Sequence, residues 1–385
     1  MRIVLYSRYP ADFDRPKGGV ESVTVNLARA LARLPDNEVH VVTLERGLAK
    51  PRDEQDADIM IHRLPDPGFP QVLDVVCGPG RRRLIEKIRE LKPDIVHSHE
   101  THGLFLDSIP FPHVFTLHGF DHANIVAGDE RMKHLRSFVW GRVEAVALAR
   151  LHHVVSISPY VEAMIRRLTR AVIHPIDNPL DLRFFQTPPQ PSLVRRVLCV
   201  GWVSERKNTL GSVRAFAELI AKGYDAELIV AGQEKEAAYL SQVIELIAAL
   251  GLQKRVKLIG HINHQALLEE LSKASVLLLP SFQENAPMVI AEAMAMRVPV
   301  VASNLCGMPF MVEEGTSGYL VDPAKTDEIA NALVGIISSD ERYQSMCERS
   351  RVIAEERFHP DVVAAKHMSV YASVIADFPD RGSAG

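Results

Sequence analysis

Cysteine is scarce in this chain. Four occur in 385 residues, at Cys77, Cys199, Cys306 and Cys347. They are far apart and form no metal-ligand pair, which fits a reducing cytoplasm better than a disulfide framework. Long hydrophobic runs are missing too. No stretch reaches the roughly 20 apolar residues of a spanning helix. Met1 leads straight into an apolar strand, so no signal peptide is expected. Net charge of one sign is also small, −4 at neutral pH, which gives no whole-molecule attraction to nucleic acid. A dinucleotide-binding Gly-x-Gly-x-x-Gly is absent as well.

What remains is the composition of a soluble globular enzyme, with 47% hydrophobic and 24% charged residues. The length is too great for one ordinary core and points to two domains. Apolar runs over 2–7, 38–44, 59–63, 94–98, 113–117 and 153–156 read as strands. An amphipathic helix over 20–34 and further helical patterns fall between them. Strands alternating with helices indicate a doubly wound α/β domain. Residues 178–192 carry Pro179, Pro188, Pro189 and Pro191 and read as an interdomain linker. The alternation then restarts, with strands over 196–200, 227–231, 256–259, 276–279, 298–302 and 318–321. Helices over 340–357 and 360–376 follow, and the tail 380–385 is expected to be disordered.

The richest segment runs from Ser281 through Glu284, Asn285, Ala286, Pro287, Met288, Val289 and Glu292 to Ala295. An apolar strand over 275–279 precedes it. Pro287 suits the first turn of a helix, which leaves Glu284 in the loop and Glu292 more than a turn inside. First-turn amides have no intrahelical partner and can hold an anion. Two carboxylates flank that seat, and they repel a phosphate unless aimed at neutral hydroxyls. A nucleotide sugar has the matching shape: diphosphate in the middle, ribose on one side, sugar on the other.

This segment closely resembles the Glu-x7-Glu signature of the retaining family 4 glycosyltransferases. The resemblance implies a GT-B fold: two Rossmann-like, doubly wound parallel-sheet domains facing a central cleft. Residues 1–180 would form the N-terminal, acceptor-side domain, with helix 360–376 packed back onto it. Residues 193–358 would form the C-terminal, nucleotide-sugar donor domain. Glu292 is then expected to bind the ribose hydroxyls. Glu284 is expected on the donor-sugar hydroxyls, beside Asn285 and the amides of Ala286, Met288 and Val289. Gly18-Gly19, between the first strand and first helix, resembles the family's donor-phosphate loop. Gly201-Trp202-Val203-Ser204-Glu205-Arg206-Lys207 follows the first strand of the second domain. Lys207 matches a family lysine that offsets diphosphate charge. Trp202 replaces the usual arginine, and Arg206 is the candidate substitute.

His118, in Thr116-Leu117-His118-Gly119-Phe120-Asp121, ends a strand and resembles the family histidine that reaches a donor-sugar hydroxyl. Asn178-Pro179-Leu180-Asp181 is similar to the family's Asn-Gly-Val-Asp, with proline for glycine. Leu305-Cys306-Gly307-Met308-Pro309 is similar to its Gly-Gly-x-Pro segment, with Cys306 for one glycine. Ser156-Ile157-Ser158-Pro159 reads as a strand, a cap and a helix start. His97 and His99 share a strand face, but a strand-end His-x-His is common in this family without metal. No metal and no cofactor are expected. Asp12-Phe13-Asp14 and Asp56-Ala57-Asp58 have a metal-type spacing, yet lie in polar segments and read as solvated loops.

The activity so implied is sugar transfer, with retention, from a nucleotide-diphosphate sugar to a hydroxyl acceptor. That would serve cell-surface polysaccharide, lipid-linked glycan or glycosylated-metabolite synthesis. Retention without a carboxylate nucleophile implies same-face attack assisted by the leaving phosphate. A UDP-sugar is the default donor. A GT-B sugar-nucleotide epimerase or hydrolase, or a non-catalytic nucleotide-sugar binding protein, are the alternatives. The basic helix over 81–92 is either an ordinary solvated surface or a peripheral contact with anionic lipid at the inner face of the membrane; residues 131–142 are a weaker case.

Overall fold

The computed structural model describes residues 1–16, 18–106, 109–120, 133–190, 192 and 194–379. Asp121, Arg131, Met132, Pro191 and the tail 380–385, all singled out above, lie outside the described residues. The chain divides into two compact units. One comprises Met1–Pro179 and the segment beginning at Pro360; the other is Leu180–His359.

In unit one the strands are β1 Arg2–Tyr6, β2 Glu38–Arg46, β3 Arg52–Asp56, β4 Ile59–Asp66, β5 Ile95–Ser98, β6 His113–Leu117, β7 His153–Ser156 and β8 Val172–Pro175. They lie in the order β3-β4-β2-β1-β5-β6-β7-β8. Every described pairing is parallel except β3 with β4. Parallel strands are covered on both faces, so the central ones are continuous apolar runs. Ile3 and Leu5 face a core that includes Leu27 and Leu31 of the helix Gly19–Ala32 and Val363 and Tyr371 of the helix Pro360–Asp377. Val4 and Val96 face the other side, under Leu84 and Ile88 of the helix Pro79–Leu91.

Strand β3 corrects one expectation. Asp56 is not in a solvated loop: it ends β3, is buried, and holds the Tyr9 hydroxyl at 2.6 Å and the Arg29 guanidinium at 3.1 Å. The charged strand Arg-Asp-Glu-Gln-Asp carries no apolar alternation, so nothing in the pattern marks it. Its Glu54 instead serves Arg63, which is buried and also pairs with Glu45.

Unit two contains β9 Arg195–Val200, β10 Ala226–Ala231, β11 Val256–Gly260, β12 Val276–Leu279, β13 Val300–Ser303 and β14 Gly318–Val321. Their order is β11-β10-β9-β12-β13-β14, with every pairing parallel. The linker expected over 178–192 is a second correction. Leu180 and Phe184 are fully buried against Leu198, Leu277 and Ile290, and Arg183–Gln186 is helical. The prolines punctuate the segment, but its apolar residues have a core to enter.

The basic helix Pro79–Leu91 spends several cations inside its own unit. Arg81 donates to the Phe105 carbonyl and Arg83 to the Pro65 carbonyl. Among the described residues, no helix is long and apolar enough to cross a membrane.

Candidate active site

Strand order reverses once in each sheet, between β1 and β5 and between β9 and β12. Loops leaving the carboxyl ends of such strands diverge, and the crevice between them is where α/β sheets place ligands. In unit two those loops are residues 201–208 and 280–287, the two that carry Lys207 and Glu284.

The loops are tied together by main chain. The Phe282 amide donates to the Arg206 carbonyl at 2.8 Å. Arg206 Nη1 donates to the Gln283 carbonyl at 3.1 Å. The Gly307 amide, from the loop after β13, donates to the Glu284 carbonyl at 2.9 Å. Within this frame Glu284 Oε1 lies 2.7 Å from Lys207 Nζ and 3.4 Å from Arg206 Nη1. Glu284 and Lys207 are each 13% exposed, against 45% for Arg206. Neither cation is aligned as a hydrogen-bond donor to Oε1, so the contacts are ion pairs without directed hydrogen bonds. Lys207 lies over Gly201, whose φ is +132°; a Cβ there would stand 2.8 Å from Lys207 Cε. Glycine is therefore required under the lysine.

The helix Met288–Ala295 begins one residue later than expected. Pro287 is its N-cap, with φ −67° and ψ 116°, not a first-turn residue, and the Ile290 amide bonds back to its carbonyl at 3.1 Å. The first two helical amides are then those of Met288 and Val289, which have no intrahelical acceptor by geometry. Asn285 and Ala286 lie just before them. The helix is buried nearly all round, and Glu292 with it at 7% exposure. Burial pushes the Glu292 carboxyl up to about 7; nearby His264 opposes the rise and Asp181 adds to it. Asp181 and His264 were not among the site residues expected from sequence. The Asn178–Asp181 motif was the available signal, but it reads as linker until the fold brings Asp181 within electrostatic reach of Glu292.

Trp202 is half exposed beside Gly201. Cys306 has φ +56°, the left-handed region that favours glycine. Gly307 is held in close contact: a Cβ there would stand 1.6 Å from the Asn285 carbonyl oxygen. Ser281, at the exit of β12, is fully buried, and its Oγ has no hydrogen-bond partner among the described residues.

Gly18, Gly19 and His118 belong to unit one, at the carboxyl edge of its sheet. Gly18 is the N-cap of the first helix in extended conformation, and Gly19 opens it. Among the described residues, a Cβ at either would meet nothing within 4 Å, so none of them demands glycine here. His118, at the exit of β6, shares a 3.0 Å hydrogen bond with His99 Nδ1. Burial holds His118 down to about 4, so it is neutral at physiological pH. His97 uses both ring nitrogens internally, each at 2.6 Å, with the Tyr371 hydroxyl and Thr116 Oγ1.

Known proteins resemble this chain in sequence and in fold. The family described as "Glycosyltransferase Family 4" matches residues 17–184, and "Glycosyl transferases group 1" matches 184–352. Alpha-D-kanosaminyltransferase of Streptomyces kanamyceticus is 29% identical over 46% of this chain and 45% of its own length. The chain thus spans about half of that relative. Phosphatidyl-myo-inositol mannosyltransferase of Mycolicibacterium smegmatis is 28% identical over 95% of this chain and 92% of its own. The structure of Anabaena HepE in complex with UDP and glucose superposes with a TM-score of 0.73 at 18% identity, over 97% of this chain and all of that one. The fold is GT-B. The chain belongs to the group 1 glycosyltransferases, family 4.

Proposed function

We propose that this protein transfers a sugar, with retention of configuration, from a nucleotide-diphosphate sugar to a hydroxyl acceptor. Unit two is the donor unit in this reading, and unit one serves the acceptor. One observation carries it: a carboxylate, two cations and the start of a helix meet at the switch point of one sheet, with a second carboxylate in that helix. Lys207 and Arg206 take the diphosphate, with the amides of Met288 and Val289. Glu284 accepts hydrogen bonds from the donor sugar and Glu292 from the ribose. Gly18 and Gly19 leave room for phosphate at the start of the unit-one helix, and neutral His118 can donate to, or accept from, a sugar hydroxyl. No carboxylate nucleophile is assigned. The departing phosphate assists same-face attack, and catalysis is mainly positioning and charge stabilisation. The UDP held by HepE supports a UDP-sugar as donor.

The test is turnover with UDP-, GDP- and ADP-sugars and a panel of hydroxyl acceptors. Glu284→Gln is expected to lower turnover by about 10²-fold or more while leaving the melting temperature near that of the parent. Near-normal turnover removes Glu284 from the site. Rapid donor consumption without any acceptor would instead make the protein a hydrolase or epimerase.

A further inference from the structure

Glu284 neutralises the same two cations that a diphosphate needs. A single carboxylate oxygen, Oε1, is 2.7 Å from Lys207 and 3.4 Å from Arg206. We propose that Glu284 is an internal counter-ion of the diphosphate subsite, and that this makes the protein hold an intact sugar nucleotide in preference to the free nucleoside diphosphate. The inference rests on the donor reading above and deepens it.

The argument is one of competition. A phosphate arriving at Lys207 meets a carboxylate already there, and like charges at that distance repel strongly in a partly buried site. An attached sugar changes the balance. Its hydroxyls donate to the carboxylate and draw it off the cations, which then serve the phosphates. Free diphosphate offers no such donors, so Glu284 stays paired and works against it. The geometry suits an exchange of partners. When the carboxylate turns it gives up a close ion pair, and both sides are compensated: the sugar hydroxyls take the carboxylate and the phosphates take the cations. The Gly307 amide fixes the Glu284 carbonyl, so the side chain can move while the backbone stays. Lys207 is seated over Gly201 and remains in place for either partner. After transfer the same competition helps expel the diphosphate product.

Calorimetric titration separates the possibilities. UDP, GDP and ADP are titrated into the parent protein, with UDP-glucose, GDP-mannose and ADP-glucose beside them. The sugar nucleotide of the preferred base is expected to bind more tightly than its free diphosphate. That comparison needs no variant; equal affinities, or a tighter diphosphate, overturn the inference. In Glu284→Gln the free diphosphate is expected to bind roughly three- to tenfold more tightly, the sugar nucleotide is not, and the gain disappears when Lys207→Gln is combined with it. Diphosphate affinity unchanged or weakened in Glu284→Gln overturns the counter-ion while leaving the donor reading intact. If none of the six nucleotides binds the parent protein, both fall.

Discussion

His264 Nε2 stands 3.3 Å from Asp181 Oδ2, and this pair sets the field around the buried carboxyl of Glu292. Burial acts to raise the Asp181 carboxyl as well, but contacts with His264 and Arg183 outweigh it and hold it well below the usual carboxylate range. Of the two acids, Asp181 keeps its charge, whereas Glu292 holds its proton up to about 7. The carboxyl inside the helix is therefore the one closest to changing state at neutral pH.

That asymmetry predicts how unit two responds to pH. In the folded unit Glu292 releases its proton at about 7 rather than the ordinary 4.5. Across that window the folded state binds more protons than the unfolded state, so stability from this group falls as pH rises from 4.5 to 7. Glu292→Gln removes the slope. It is expected to stabilise unit two at pH 8 by an amount on the order of 2 kcal/mol and to add little at pH 5. Calorimetric unfolding of the full chain at both pH values measures this, and an equal gain at both would assign the effect to packing. If Glu292 receives the ribose hydroxyls as proposed, the same variant is expected to weaken nucleotide binding as well.

Unit one is expected to respond with the opposite sign. Burial holds His113 down to about 3 and His118 and His367 to about 4, and keeps His97 and His99 well below the usual imidazole range. Each folded-state value is depressed, so the unfolded chain gains protons first as pH falls below about 6.5. Stability is then lost between 6.5 and 4, by up to about 1.4 kcal/mol per histidine for each pH unit. Hydrogen exchange at β6 and β7, followed from pH 7.5 to 5, should show protection falling in unit one while that around the helix Met288–Ala295 rises. Parallel behaviour of the two units would contradict the assignment.

The sequence made the central strands and the two loops that meet at the switch point of unit two legible because each is a local signal. Apolar runs such as Ile3-Val4-Leu5 mark a parallel strand covered on both faces. Glu284 and Glu292 lie within one loop and helix, and Gly201 to Lys207 within another. The unread parts depend on distant residues. Strand β3 is polar because its partners are Arg63 and Arg29, not an apolar face. Leu180 and Phe184 look like linker until the sheet of unit two is present to receive them. Asp181, His264 and Glu292 are far apart in the chain, and no short-range pattern signals their meeting.

Trp202 offers a gain-of-function test. It is half exposed at the position where the resemblance to the family implies an arginine, next to the glycine that supports Lys207. An indole can offer one N–H to a phosphate but no charge. Trp202→Arg is expected to raise nucleoside-diphosphate affinity roughly tenfold, by a charge-assisted, bidentate contact, and to leave stability within about 0.5 kcal/mol because the site is on the surface. Unchanged affinity by calorimetry would place the diphosphate away from the loop after β9.

Cys306 and Gly307 make a paired test of the backbone beneath the site. Cys306 is held at φ +56°, a conformation that costs a residue bearing a Cβ about 1 kcal/mol. Cys306→Gly relieves that strain but gives the unfolded chain more freedom, so the expected net effect is a small stabilisation, below about 1 kcal/mol. Gly307→Ala acts in the other direction. Its new methyl would stand 1.6 Å from the Asn285 carbonyl oxygen, a backbone atom that cannot swing aside. The loop must shift, and the Gly307 amide that fixes the Glu284 carbonyl shifts with it. Expected outcomes for Gly307→Ala are a melting temperature several degrees lower and a loss of turnover larger than the stability change explains, measured well below the new melting point. If Gly307→Ala kept full turnover while losing stability, the backbone anchor of Glu284 would be irrelevant to transfer.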